Sequence, residues 1–305
     1  MREKLSKLIT QNAIEDPKSL VLSGDHGYAL FDEILKVRKN QFLNVGVMEQ
    51  AMVGISSGFA KVGFRPIVYG LSAFVPIRVL EQIKLDVCYP NLPVVFLGDG
   101  AGLVYSTLGS SHQCSEDIAA LRPLPNIRIY TPSDEKELEV CFGEAISTKA
   151  PCYIRIGKSD REVVHEKKLI SSDPVTLLKE SSKIALISMG SMSSISQQVA
   201  KQLKLSHIVF PRIKPFPKSI LGELILYGKL IIVEEHSRYG GLCSTILDAF
   251  AENNMPIPLT TSISLKPQFA KKCGSYQYAL SEHQLDDKSL KIRILQEVEN
   301  LKVNL

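Results

Sequence analysis

Short apolar, β-branched runs alternate with helical patterns along most of this chain, and no other feature constrains its fold as tightly. The runs fall at 19–23 (SLVLS), 41–47 (QFLNVGV), 66–70 (PIVYG), 93–97 (PVVFL), 127–131 (IRIYT) and 153–156 (YIRI). Helical patterns lie between them at 50–62, 78–88 and 134–148. A strand that is apolar along its whole length is covered on both faces, and a helix between two such strands is the crossover that parallel pairing requires. The expected fold is therefore α/β, built on a parallel sheet.

After position 156 the character changes. The stretch 158–168 (KSDREVVHEKK) is nearly all polar and reads as a linker. A second α/β series follows, with strands at 184–189, 207–210 and 230–234 and helices at 194–203 and 241–252. The expectation is a first domain over 1–165, a linker over 166–182 and a smaller α/β domain over 183–305. The length of 305 residues agrees with two domains at roughly 150 residues each.

Several classes are set aside by composition. Hydrophobic residues make up 45% and charged residues 22%, enough to bury a core and too apolar for disorder. The net charge of +4 is spread along the chain, so no nucleic-acid surface is expected. No apolar run reaches the roughly 18 residues of a membrane span. The amphipathic start MREKLSKLITQ shows no signal peptide. Six cysteines without a C-x-x-C pair suggest reduced thiols in the cytoplasm.

The stretch 44–58 (NVGVMEQAMVGISSG) carries the sharpest chemistry. Glu49 stands at a strand–helix junction among apolar neighbours, which favour a protonated carboxyl able to donate a hydrogen bond. A helix-start Glu complementing the dipole is the plainer reading. Small residues along this helix (Ala51, Gly54, Ser57, Gly58) permit close approach of a neighbour. The Gly/Ser-rich loop 99–112, ending at His112, follows the strand 93–97 and so lies where open α/β sheets bind ligands. Gly98-Asp99-Gly100 with Asn126 mimics a Mg²⁺–diphosphate signature, but Asn126 lies just before a strand and the match is read as coincidence. Glu234 and Glu235, adjacent on a strand, point to opposite faces and are not a carboxylate pair. Tyr239-Gly240-Gly241 reads as a tight turn into a helix, with anion binding as the alternative.

VGVMEQAMVG, YGLSAF and GSSHQCSEDIAALRPLPNIRIYTPSDEKE together resemble the pyrimidine-binding domain of transketolases and deoxyxylulose-phosphate synthases. MGS, HIVFPRIKPF and VEEHSRYGGLCS resemble the C-terminal domain of the same families. The resemblance implies a thiamine-diphosphate enzyme that moves a two-carbon ketol group from a ketose to an aldose. The chain opens at the pyrimidine domain, so it looks like the C-terminal half of a split transketolase. An N-terminal subunit would then supply the diphosphate domain and the Mg²⁺ ligands, in an α₂β₂ assembly.

By this resemblance Glu49 matches the Glu that hydrogen-bonds the aminopyrimidine N1′ and drives the imino tautomer that activates the thiazolium. Phe74 matches the aromatic on the pyrimidine ring, with core packing as its rival, and Asp25 an acidic residue beside the cofactor. His112 matches a substrate-contacting His. Lys158 falls near a basic residue that grips the substrate phosphate, Arg2 is a weaker match to another, and Arg78 and Arg155 are further basic candidates. The departures are specific. Leu108 replaces an Asp four residues before the loop His, Ala29 a phosphate-binding Ser, and Gly100 the synthase's Arg, while Tyr105 and Ser106 lengthen the loop. The sugar-phosphate clamp is thus weakened or rebuilt, and the reaction class carries over better than the substrate. A synthase-like carboligase, the β subunit of a 2-oxoacid dehydrogenase E1 and an inactive regulatory subunit are the alternatives.

Overall fold

The computed structural model describes residues 1–158, 160 and 162–303; positions 159, 161, 304 and 305, which fall in the expected linker and second domain, lie outside the described residues. Two sheets organise it. The first contains β1 (Ser19–Ser23), β2 (Phe42–Asn44), β3 (Arg65–Leu71), β4 (Val95–Asp99), β5 (Arg128–Tyr130), β6 (Cys152–Ile156) and, from the second half of the chain, β10 (Arg212–Lys214). Its order is β10-β5-β6-β4-β3-β1-β2, parallel throughout except for β10, which runs antiparallel along β5. The second sheet has the order β12-β11-β8-β9-β7, with β7 (Val175–Leu178), β8 (Ile184–Ser188), β9 (Ser206–Val209), β11 (Lys229–Ser237) and β12 (Leu259–Leu265); only β7 is antiparallel.

Every residue of β1, β6 and β8 is buried, as expected of apolar strands covered on both faces. Each fully buried Val, Leu or Ile contributes on the order of 1.5–3 kcal/mol over an exposed one. Asp134 begins the helix Glu135–Ser147 by accepting the backbone N–H of Lys136 and Glu137, a cap that satisfies two donors without an intrahelical partner.

Two expected elements differ. The strand expected over 41–47 is only Phe42–Asn44, because Gly46 adopts a positive φ of 74° and turns the chain toward Glu49. The single helix expected over 78–88 is composite: a turn at Ile77–Val79, one α turn at Leu80–Gln82 and a wider π turn over Ile83–Cys88.

A buried polar network joins the halves. Arg155 on β6 donates through Nε to both oxygens of Asp117 (3.1 and 2.9 Å) and through Nη2 to the Glu235 carbonyl (2.8 Å). Tyr153 donates to the same carboxylate at 2.7 Å. The Glu235 side chain accepts the Leu103 N–H (2.6 Å) and the Tyr276 hydroxyl (2.5 Å). Glu234 turns the other way and accepts the N–H groups of Leu242 and Cys243 at the start of the helix Leu242–Glu252. The anion at that helix N-terminus is therefore the chain's own carboxylate, whose pKa burial raises to about 7.

Candidate functional site

Strand order decides where a crevice opens. From β1 the chain passes to β2 on one side, then crosses to β3 on the other side of β1. The carboxyl ends of β1 and β3 thus flank a topological switch point, the place where open α/β sheets leave room for a ligand. The loops after β1, β2, β3 and β4 carry the candidate residues to this edge.

Glu49 is the first residue of the helix Glu49–Lys61 and is only 4% exposed. Arg78, from the turn after β3, donates through Nη1 to Glu49 Oε2 at 3.0 Å, and its guanidinium carbon lies 3.9 Å from the centre of the Phe74 ring. His112 meets Phe74 edge-on, with ring centres 5.3 Å apart. The structure therefore brings four sequence candidates, Glu49, Phe74, Arg78 and His112, into one cluster. Burial of Glu49 accords with its apolar neighbours in sequence, but the Arg78 ion pair is an electrostatic partner that the local sequence did not reveal.

Sequence reasoning missed His26. Its ring centre is 5.8 Å from that of Phe74, and its Nε2 is 3.8 Å from Glu49 Oε1. The available signal was position: His26 follows a wholly apolar strand at the carboxyl edge of the sheet.

The other candidates lie apart from the cluster's contacts. Asp25, next to His26, is exposed, and its backbone N–H and carboxylate bind the Asn44 side chain at 3.2 and 3.3 Å. Lys158 holds the seam between the halves: its N–H donates to Ser191 Oγ at 2.8 Å, and its ammonium lies 3.0 Å from Asp160 and 5.9 Å from the Tyr276 ring centre. Arg155, offered as a basic substrate contact, is buried, and Asp117 and the Glu235 carbonyl engage its guanidinium. Its charge serves the interior of the protein. Gly54 and Gly58 do not pack closely on anything in this chain; a side chain at either would meet no atom within 4 Å.

Asp99 ends β4 and accepts from Tyr69 at 2.6 Å and, more distantly, from Arg2 and Tyr105 at 3.5 Å. Burial, followed by the Asp99 carboxylate, drives the Tyr69 phenol far above its usual range and raises Tyr105 to about 12. Asn126 lies before β5, which runs parallel to β4 across β6, so it sits at the opposite edge of the sheet, donating to the Cys88 carbonyl and Asn91. Asp99 and Asn126 cannot share one metal ion. Among the described residues no group of three His, Cys, Asp or Glu side chains is arranged to hold one.

Known proteins share both halves of this architecture. Residues 1–162 match the transketolase pyrimidine-binding domain and residues 174–271 the transketolase C-terminal domain. The chain is 32% identical over 232 residues to one of the two subunits of an apulose-4-phosphate transketolase from Actinobacillus succinogenes, covering 74% of this chain and 75% of that protein. It is also 32% identical over 261 residues to the 1-deoxy-D-xylulose-5-phosphate synthase of Lawsonia intracellularis, covering 82% of this chain but only 41% of the synthase. A solved structure described as a split gene transketolase, inactive beta4 tetramer, superposes with a TM-score of 0.86 at 26% identity, over 97% of each chain.

Proposed function

This chain belongs to the transketolase family, and from that premise we propose that it is the pyrimidine-domain subunit of a split, thiamine-diphosphate-dependent transketolase. A separate N-terminal subunit completes the enzyme with the diphosphate domain and the Mg²⁺ ligands, and an α₂β₂ assembly forms through pairing of two copies of this chain. The enzyme transfers a two-carbon ketol group from a ketose to an aldose, with sugars or sugar phosphates as substrates. Six free cysteines support a reducing, cytoplasmic setting; among the described residues no helix is long and apolar enough to cross a membrane.

One observation carries this reading: a buried carboxylate at the switch point, with one oxygen fixed by Arg78 and the other, Oε1, buried without a hydrogen-bond partner. An unsatisfied buried acceptor beside an aromatic ring fits the ring-nitrogen edge of a flat heterocycle. Thiamine diphosphate supplies the carbon nucleophile when bound; the protein supplies proton control, orientation and a dry site. Glu49 holds a proton at the ring edge, Phe74 packs on the heterocycle and Asp25 lines its approach. His112 reaches the substrate, while Lys158 and Arg78 supply positive charge. The open glycine face of the helix Glu49–Lys61 offers the partner a close approach. Tyr105 packs over Gly100, the position matching the synthase's Arg, which favours ketol transfer over synthase-type carboligation.

Calorimetry with thiamine diphosphate and Mg²⁺ tests the split: tight binding is expected when this chain is mixed with the product of the neighbouring gene, and not for this chain alone. In the mixture, Glu49→Gln is expected to lower ketol transfer by roughly 10²–10⁴-fold, the range for losing a general acid–base group. Unchanged turnover removes Glu49 from the reaction.

A further inference from the structure

Two buried polar atoms at the switch point lack partners, and they face each other. Glu49 Oε1 and His26 Nε2 have no hydrogen-bond partner among the described residues and lie 3.8 Å apart. That distance is too long for a direct hydrogen bond, but it is one at which both atoms reach a third atom set between them. Leaving two such atoms unsatisfied is costly, and the natural resolution is one occupant that serves both.

The His26 ring is held in place for this. Ser23, the last residue of β1, accepts the His26 N–H at 3.3 Å and donates its hydroxyl to the His26 carbonyl at 2.8 Å, closing a tight turn. Phe74 packs against the ring at 48°. Nothing in this arrangement uses Nε2.

We infer that His26 is a second cofactor-binding residue, presenting Nε2 to the same edge of the aminopyrimidine as Glu49 Oε1. The inference rests on the thiamine-diphosphate reading above. An imidazole offers Nε2 as a donor or an acceptor according to its tautomer, so His26 satisfies whichever group the Glu49 carboxyl leaves unmatched. The two residues then grip one heterocycle edge from two strands' loops, and Phe74 supports the ring.

The test is a calorimetric titration of thiamine diphosphate with Mg²⁺ into the mixture of this chain and its partner subunit. His26→Leu keeps apolar bulk and removes the nitrogen; it is expected to weaken binding about tenfold, the scale of one buried hydrogen bond. His26→Gln, whose amide reaches the position of Nε2, is expected to recover most of that loss. His26→Asn reaches only the position of Nδ1 and is expected to bind as weakly as the Leu variant. Combining His26→Leu with Glu49→Gln is expected to cost less than the sum of the two, because both act on one edge. Wild-type affinity in His26→Leu, or equal affinities for the Gln and Asn variants, overturns the inference and leaves the transketolase reading standing. If the Leu variant melts early, the Gln–Asn comparison decides alone. Failure of the wild-type mixture to bind the cofactor overturns the underlying reading, and this inference with it.

Discussion

Arg78 and Glu49 form a 3.0 Å ion pair in which the carboxylate is buried and the guanidinium is nearly half exposed. Geometry explains the asymmetry. Arg78 lies flat on Phe74 and extends one nitrogen inward, so a surface cation orients an interior anion. A half-exposed pair adds little stability, about 0–1 kcal/mol, and its value lies in fixing which carboxylate oxygen is free. Arg78→Met is therefore expected to leave the melting temperature nearly unchanged and to lower turnover of the reconstituted enzyme at least tenfold. Arg78→Lys keeps the charge without the planar stack and should fall between. Full activity in Arg78→Met, measured by steady-state kinetics, removes Arg78 from the site.

Tyr105 and Gly100 make a second pairing of consequence. Gly100 has a positive φ of 72°, and an added Cβ would collide with the Tyr105 ring. Gly100→Ala thus suffers both backbone strain and a clash, and about 2–4 kcal/mol is expected from the two together. Adding Tyr105→Ala should relieve the clash and leave the strain. Denaturant unfolding of the two single variants and the double reads the coupling; strict additivity would mean that the ring moves aside freely.

Much of the site was written in the sequence, though unevenly. Glu49, Phe74 and His112 stand in motifs with surrounding context, and the strand–turn–helix pattern fixed the edge at which they meet. His26 had only its position to recommend it. Arg155 looked like a site residue because a charge inside an apolar strand is unusual; its explanation, Asp117, lies 38 residues earlier in the chain. Strand β10 is three residues long and owes its existence to β5, far away in sequence, so no local periodicity announces it. The turns over 77–88 share their apolar pattern with a regular helix, and hydrogen-bond register within the helix is not encoded in that pattern.

The Arg155–Asp117 pair is almost fully buried, 3% and 0% exposed by side chain. Removing one partner of such a pair strands a charge in the interior, at a cost of about 3–5 kcal/mol. Arg155→Met is expected to lose that much in chemical denaturation, and to loosen the seam as well, because Arg155 also binds the Glu235 carbonyl. The double variant Arg155→Met with Asp117→Leu should lose less than the sum of the singles. A loss below about 1 kcal/mol for Arg155→Met would mean that water reaches Asp117.

His207 gives the chain an acid-sensitive point away from the site. It lies buried on β9, with Nε2 2.8 Å from the Ser188 hydroxyl, and burial lowers its pKa to about 3, with the charge of His165 adding in the same direction. The unfolded imidazole titrates near 6.5, so between about pH 6.5 and 3 the unfolded state binds the extra proton. Stability from the neutral ring is present in full above about pH 6.5 and is lost as pH falls, at about 1.4 kcal/mol per pH unit for one proton. His207→Gln keeps a hydrogen-bonding side chain on Ser188 and does not titrate. Its unfolding free energy, followed by denaturant titration at a series of pH values, should fall less steeply between about pH 6 and 4 than that of the wild type, by about one proton. Parallel curves for the two proteins would show that His207 takes up its proton inside the fold.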